Sequence, residues 1–131
     1  MAVGHSDDVD AGDAIAAAIE DCRAGLDGLT PHAAILIVAY ESFDPAMLAA
    51  VNDAFPGTAV VGATSAAEMS SVGGFKEDSV SLTAFASDSV DVTVGFARGL
   101  GEDVEGTARA AAVDAMSGTT LEPKVCIVLA E

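Results

Sequence analysis

Apolar and polar positions along this chain follow two periods, and the changes of period mark out the elements. Residues 10–25 place Ile15, Ile19 and Cys22, with Leu26 just beyond, on one helical face behind a run of acids, and Gly25 and Gly28 supply the stop. Residues 33–40 form an apolar run without alternation, the pattern of a strand covered on both faces. Phe43-Asp44-Pro45 then opens a second helix, with Asp44 as N-cap, Pro45 at the first helical position and a buried stripe of Met47, Leu48, Val51 and Phe55. Pro56-Gly57 closes it and leads into a β-branched strand at 58–61. Strand, helix, strand in so short a span predicts a right-handed crossover with parallel strands. A further short strand is expected at 2–5.

The second part of the chain changes character. Val80, Leu82 and Ala84 alternate with Ser79, Ser81 and Thr83, and after the polar turn Ser87-Asp88-Ser89 the positions Val90, Val92, Val94 and Phe96 alternate with Asp91, Thr93 and Gly95. That reads as a half-exposed hairpin. A helix over 102–116 and a buried strand over 124–130 complete the pattern. The predicted class is α/β (α+β): a mixed sheet with a parallel βαβ unit and an antiparallel hairpin, flanked by about three helices.

Leu29-Thr30-Pro31-His32 and its apolar strand are echoed 92 residues later by Leu121-Glu122-Pro123-Lys124 and another apolar run. The first copy continues into a helix and a strand; the second ends at Glu131. A buried strand at that point makes the chain read as the front portion of a larger polypeptide, against the alternative of a coincidence between two common helix and strand pairs.

The chemistry concentrates after residue 61. In Val60-Val61-Gly62-Ala63-Thr64-Ser65-Ala66-Ala67-Glu68-Met69 a strand breaks into a glycine, two hydroxyls and a carboxylate. Ligands of open α/β sheets bind beyond the carboxyl ends of strands, so Gly62, Thr64, Ser65 and Glu68 are candidate ligand-binding residues, with Tyr40 and Glu41 at the end of the neighbouring strand as the facing wall. Hydroxyls and backbone amides there suit a ligand carboxylate, and Glu68 suits an ammonium group. The alternative is an ordinary helix start, with Thr64 or Ser65 as N-cap and Glu68 completing a capping box.

Charge narrows the partners. Across 131 residues, 21 acids against 5 bases give a formal charge of −16, which repels phosphate backbones and anionic lipid heads. Nucleic acid and membrane are therefore not expected partners. The acids are scattered through almost every loop, a distribution that suits a salt-rich (halophilic) cytoplasm where screening reduces self-repulsion. Asp7-Asp8-Asp10-Asp13 lacks the calcium-loop pattern and reads as the acidic entry to a helix. Cys22 and Cys126 lie in apolar surroundings and read as core residues; His5 and His32 are isolated, and no metal-ligand spacing is present. No metal or cofactor is expected. With neither a signal segment nor an apolar run long enough to span a bilayer, a cytoplasmic location is expected.

Several pieces, in order, resemble the amino-terminal FIST domain of signalling proteins. They are Val3-Gly4-His5-Ser6, residues 34–40 with Phe43-Asp44-Pro45-Ala46-Met47-Leu48, the segment from Phe55-Pro56-Gly57 to Glu68-Met69, and Gly73-Gly74 followed by the strand at 79–85. Ala67 stands where a second glycine is usual in that family. The resemblance covers nearly the whole chain but only the front of the family's domain. It implies a single FIST N-like sensory domain over 1–131, incomplete at its carboxyl end, that receives an amino acid or derivative. It also implies output to a carboxy-terminal FIST segment or an attached signalling module.

Two other functions stand beside that one. A small hydrolase would need Ser65 or Ser42 as nucleophile with an adjacent base, and neither catalytic spacing nor a nucleophile elbow is present, so no enzyme activity is expected. A ligand-free interaction domain would use Gly62 to Glu68 merely as a connection.

Overall fold

The computed structural model describes residues 1–130; Glu131, where the second copy of the internal echo ends, lies outside the described residues. In chain order the elements are β1 (Ala2–Ser6), α1 (Ala11–Leu26), β2 (Ala33–Ala39), a 3-10 turn (Tyr40–Ser42), α2 (Pro45–Ala54), β3 (Ala59–Ser65), β4 (Glu68–Ser70), β5 (Gly74–Lys76), β6 (Val80–Phe85) and α3 (Val104–Ser117). Four strands form a mixed sheet in the order β1-β6-β2-β3. Strands β2 and β3 are parallel, β6 runs antiparallel to β1 and β2, and β4 and β5 make a separate antiparallel pair. The fold is α+β, as the patterning predicts.

Local chemistry accounts for the first half. The Asp10 carboxylate caps α1, accepting from the amides of Gly12 and Asp13 at 2.9 and 3.0 Å, so the acidic run opens a helix as expected. Asp44 does the same for α2 through the amide of Ala46 at 2.8 Å, with Pro45 at the first helical position. Helix α1 ends on Asp27, left-handed at φ 49°, and Gly28 at φ 82°, whereas Gly25 stays inside the helix.

Register decides which face each strand residue takes. Ala2 and Gly4, Val80, Leu82 and Ala84, Ala34, Leu36 and Val38, and Val60 share one face. Most of them enter a single core with Ile15, Ala18, Ile19 and Cys22 of α1 and Met47, Val51 and Phe55 of α2. Gly4 admits α1 at its closest approach, since a Cβ there would run into the Ala18 carbonyl. The opposite face carries His5, Ser81, Ile35, Ile37 and Val61, and the β4–β5 hairpin lies against one end of it, touching β6 and β2.

Several expectations are corrected. The strand expected at 58–61 runs on through Gly62 to Ser65, because all seven of its residues pair in parallel with β2, from Ala33↔Ala59 to Ala39↔Ser65. No helix follows it: Glu68 opens β4, so the capping-box alternative does not form. The second strand of the expected hairpin, near 90–96, joins no ladder among the described residues. Gly95 instead packs on Ala111 and Ala115 of α3, and the amide of Phe96 is taken up by Asp114 at 3.0 Å. The strand expected at 124–130 is also unpaired, with Val125 82% and Val128 78% exposed. Cys126 is accordingly exposed, whereas Cys22 is buried as expected. Helix α3 forms close to the expected place, capped by Asp103, but buries none of its residues. Among the described residues, neither strand-like segment pairs with the outer strands of the sheet, β1 and β3.

Candidate functional site

Glu68 is the centre of the site. Strand alternation turns Glu68 and Ser70 toward the sheet and leaves Met69 80% exposed. The Glu68 side chain is 2% exposed, and its Oε2 accepts from the Ser79 hydroxyl at 2.6 Å and the Ser79 amide at 3.2 Å. Two donors on one oxygen is the arrangement expected for a buried carboxylate. Its other oxygen, Oε1, is buried with no hydrogen-bond partner.

Sequence reasoning missed the next residue. His5 stands on the same sheet face as Ser81, and its Nε2 lies 3.0 Å from the Ser79 hydroxyl and its Nδ1 2.5 Å from the Ser70 hydroxyl. The Ser79 hydroxyl gives its proton to Glu68 and so accepts from His5 Nε2. That tautomer, assigned from the network, leaves His5 Nδ1 to accept from Ser70. Ser70 Oγ also accepts from the Gly73 amide at 2.9 Å, and a Cβ on Gly73 would strike the His5 ring, so glycine lets the hairpin turn close on the imidazole. The hairpin is pinned a second time by Lys76, whose ammonium is 2.7 Å from Asp7. The Lys76 hydrogen bond and charge hold the Asp7 carboxyl below the usual carboxylate range.

The other expected site residues are divided by the register. Thr64 is paired with Val38 on the helix side of the sheet, and Ser65 with Ala39 on the side of Glu68. The Ser65 hydroxyl closes its own turn, donating to the Ala67 carbonyl at 2.7 Å and accepting from the Ala67 amide at 3.2 Å. Gly62 is interior to β3, where a Cβ would meet the Leu36 carbonyl of the adjacent strand. Its glycine serves strand packing, not a break. Tyr40 and Glu41 follow β2 at the same carboxyl end and are exposed, Tyr40 by 77%. His32 lies at the opposite end of β2, its backbone bonded to Phe85 and Ala59.

A groove of about 510 Å³ lies elsewhere, between α1 and α2, lined by small residues with Ile15, Ile19 and Met47 beneath. Its polar residues Glu20, Arg23, Asp44 and Asp53 are all exposed, so it offers no buried polar anchor like Glu68. Among the described residues no group of three or more His, Cys, Asp or Glu is arranged to hold a metal ion, and no helix is long and apolar enough to cross a membrane.

Comparison with curated proteins and with solved structures found no match. The family model for the FIST N domain matches residues 32–131, which takes in β2 through α3 and the Glu68 site together with its serine partners. On that match the chain belongs to the FIST N domain family, a sensory family associated with signal transduction.

Proposed function

We propose that this domain senses a small amine-bearing ligand, an amino acid or derivative, and that Glu68 reads the ammonium group. The observation that carries the reading is the unpartnered Oε1 of a carboxylate that is 2% exposed. A buried oxygen of this kind is costly when unpaired and gains a charge-assisted bond when an ammonium reaches it. The ligand reaches it by displacing the β4–β5 hairpin, whose strands are three residues each and whose β5 residues all lie at the surface. Tyr40 and Glu41, at the carboxyl end of β2, are its outer contacts, Ser65 shapes the turn that presents Glu68, and Thr64 faces the helices on the other side of the sheet. On this reading the domain works in the cytoplasm as a receptor that does not turn its ligand over. Its output goes to a carboxy-terminal FIST segment or an attached signalling module through movement of the hairpin.

The test is thermal unfolding in molar potassium chloride against free amino acids, short peptides and small carboxylates. A ligand at about 100 times its Kd adds roughly 2.7 kcal/mol, a shift of several degrees. A shift confined to compounds with a free amine supports the reading; a melt that none of them moves overturns it.

A further inference from the structure

The hydrogen-bonded row Ser70, His5, Ser79 and Glu68 has the parts of an activated nucleophile. Ser70 Oγ lies 2.5 Å from His5 Nδ1, and the far nitrogen of the same ring is held at 3.0 Å by Ser79, itself held at 2.6 Å by Glu68. Since the Ser79 proton is directed to Glu68, the His5 proton sits on Nε2 and the Nδ1 lone pair faces Ser70. A nucleophile, a base within reach and a third group orienting the base are the elements of serine activation. Exposure is graded in the matching sense: Glu68 and Ser79 are buried, whereas His5 and Ser70 are half-buried. Gly73 adds to the arrangement, because its bare α-carbon packs on the imidazole and its amide fixes the Ser70 oxygen at 2.9 Å. By contrast, the Ser65 hydroxyl is spent on its own turn.

We propose that Ser70 is a nucleophile that accepts the acyl group of a small activated ester, with His5 as its general base and Ser79 and Glu68 as positioning residues. Ser70 Oγ forms a bond to the acyl carbon as its proton passes to His5 Nδ1. The bond from that carbon to the leaving oxygen then breaks, and His5 returns the proton to the departing alcohol. The site is thereby a covalent acceptor, independent of whether Glu68 also reads an amine.

The test treats the full chain, in molar potassium chloride, with 4-nitrophenyl acetate and with an alkyl fluorophosphonate, followed by intact mass and peptide mapping. The expected result is one adduct per chain, mapped to Ser70 and absent from Ser70→Ala. Its rate rises with pH through one inflection, falls about a hundredfold in His5→Gln, and shows a displaced inflection in Ser79→Ala. Should His5→Gln fail to fold, the wild-type map and pH profile decide. An unlabelled Ser70, a rate without inflection, or wild-type labelling of folded His5→Gln overturns the proposal.

Discussion

Removing the Ser79 hydroxyl strikes the network at its junction. The Ser79→Ala substitution deletes the 2.6 Å bond to the Glu68 carboxylate and the 3.0 Å partner of His5, leaving Glu68 Oε2 with the 3.2 Å amide alone. A hydrogen bond to a charged group contributes about 1.5–3 kcal/mol and a neutral one about 0.5–1.5, so the expected cost is about 2–5 kcal/mol. That is a large share of the roughly 5–15 kcal/mol holding an ordinary domain together. For a domain of this size it amounts to a fall in Tm of roughly 6–25 °C. The physical claim is more specific than the loss, because much of the cost comes from stranding a buried charge. In a Glu68→Gln background that charge is gone, so Ser79→Ala should cost only about 1–3 kcal/mol. Urea titrations of the four proteins of this cycle, in molar potassium chloride, should give a coupling of about 1–2 kcal/mol. A Ser79→Ala protein within about 0.5 kcal/mol of wild type, or the same cost in both backgrounds, would refute the reasoning.

Two other consequences can be checked. Gly4→Ala pushes a methyl group into the Ala18 carbonyl where α1 crosses β1, and should cost about 1–3 kcal/mol by denaturant unfolding, while Gly57→Ala, at φ 83° with open space around it, disturbs only its own turn. Burial pushes the Cys22 thiol up to about 11, so a thiol reagent at pH 8 should modify exposed Cys126 at once and Cys22 only on unfolding. The sign for stability follows. The unfolded thiol ionises first, near 9, and Cys22 therefore withdraws stability as pH rises from about 9 to about 11 and has no effect below that window.

The parts of the fold legible in the sequence are those whose causes are local. The carboxylates of Asp10 and Asp44, each just ahead of its helix, and the unbroken run of β2 are readable because the residues that make the contacts are neighbours in the chain. Gly62 misled because a glycine after a β-branched run looks like a break, whereas here the approach of the Leu36 carbonyl requires it. Glu68, three residues after Ser65, fits a capping box and a tight turn equally well, and only the pairing of Glu68 with Lys76 across the hairpin separates them. His5 escaped notice because its partners are 65 and 74 residues away, brought in by the antiparallel pairing of β1 with β6. The one local signal was that Gly4 and His5 take opposite faces of a strand. The alternating residues near 90–96 and the apolar run at 124–130 show the limit of pattern reading, since a period marks strand capacity but names no partner edge.

The central claim is that Glu68 reads an ammonium group, and isothermal titration in molar potassium chloride tests it most directly. The titrants are the free amino acids that raise Tm, each paired with its N-acetylated form, against wild type and Glu68→Gln. The account predicts saturable binding of the free amine by wild type, with at least a tenfold loss, about 1.4 kcal/mol, on acetylation or in Glu68→Gln. Equal affinity for the acetylated form, or undiminished binding by a folded Glu68→Gln protein, would contradict it.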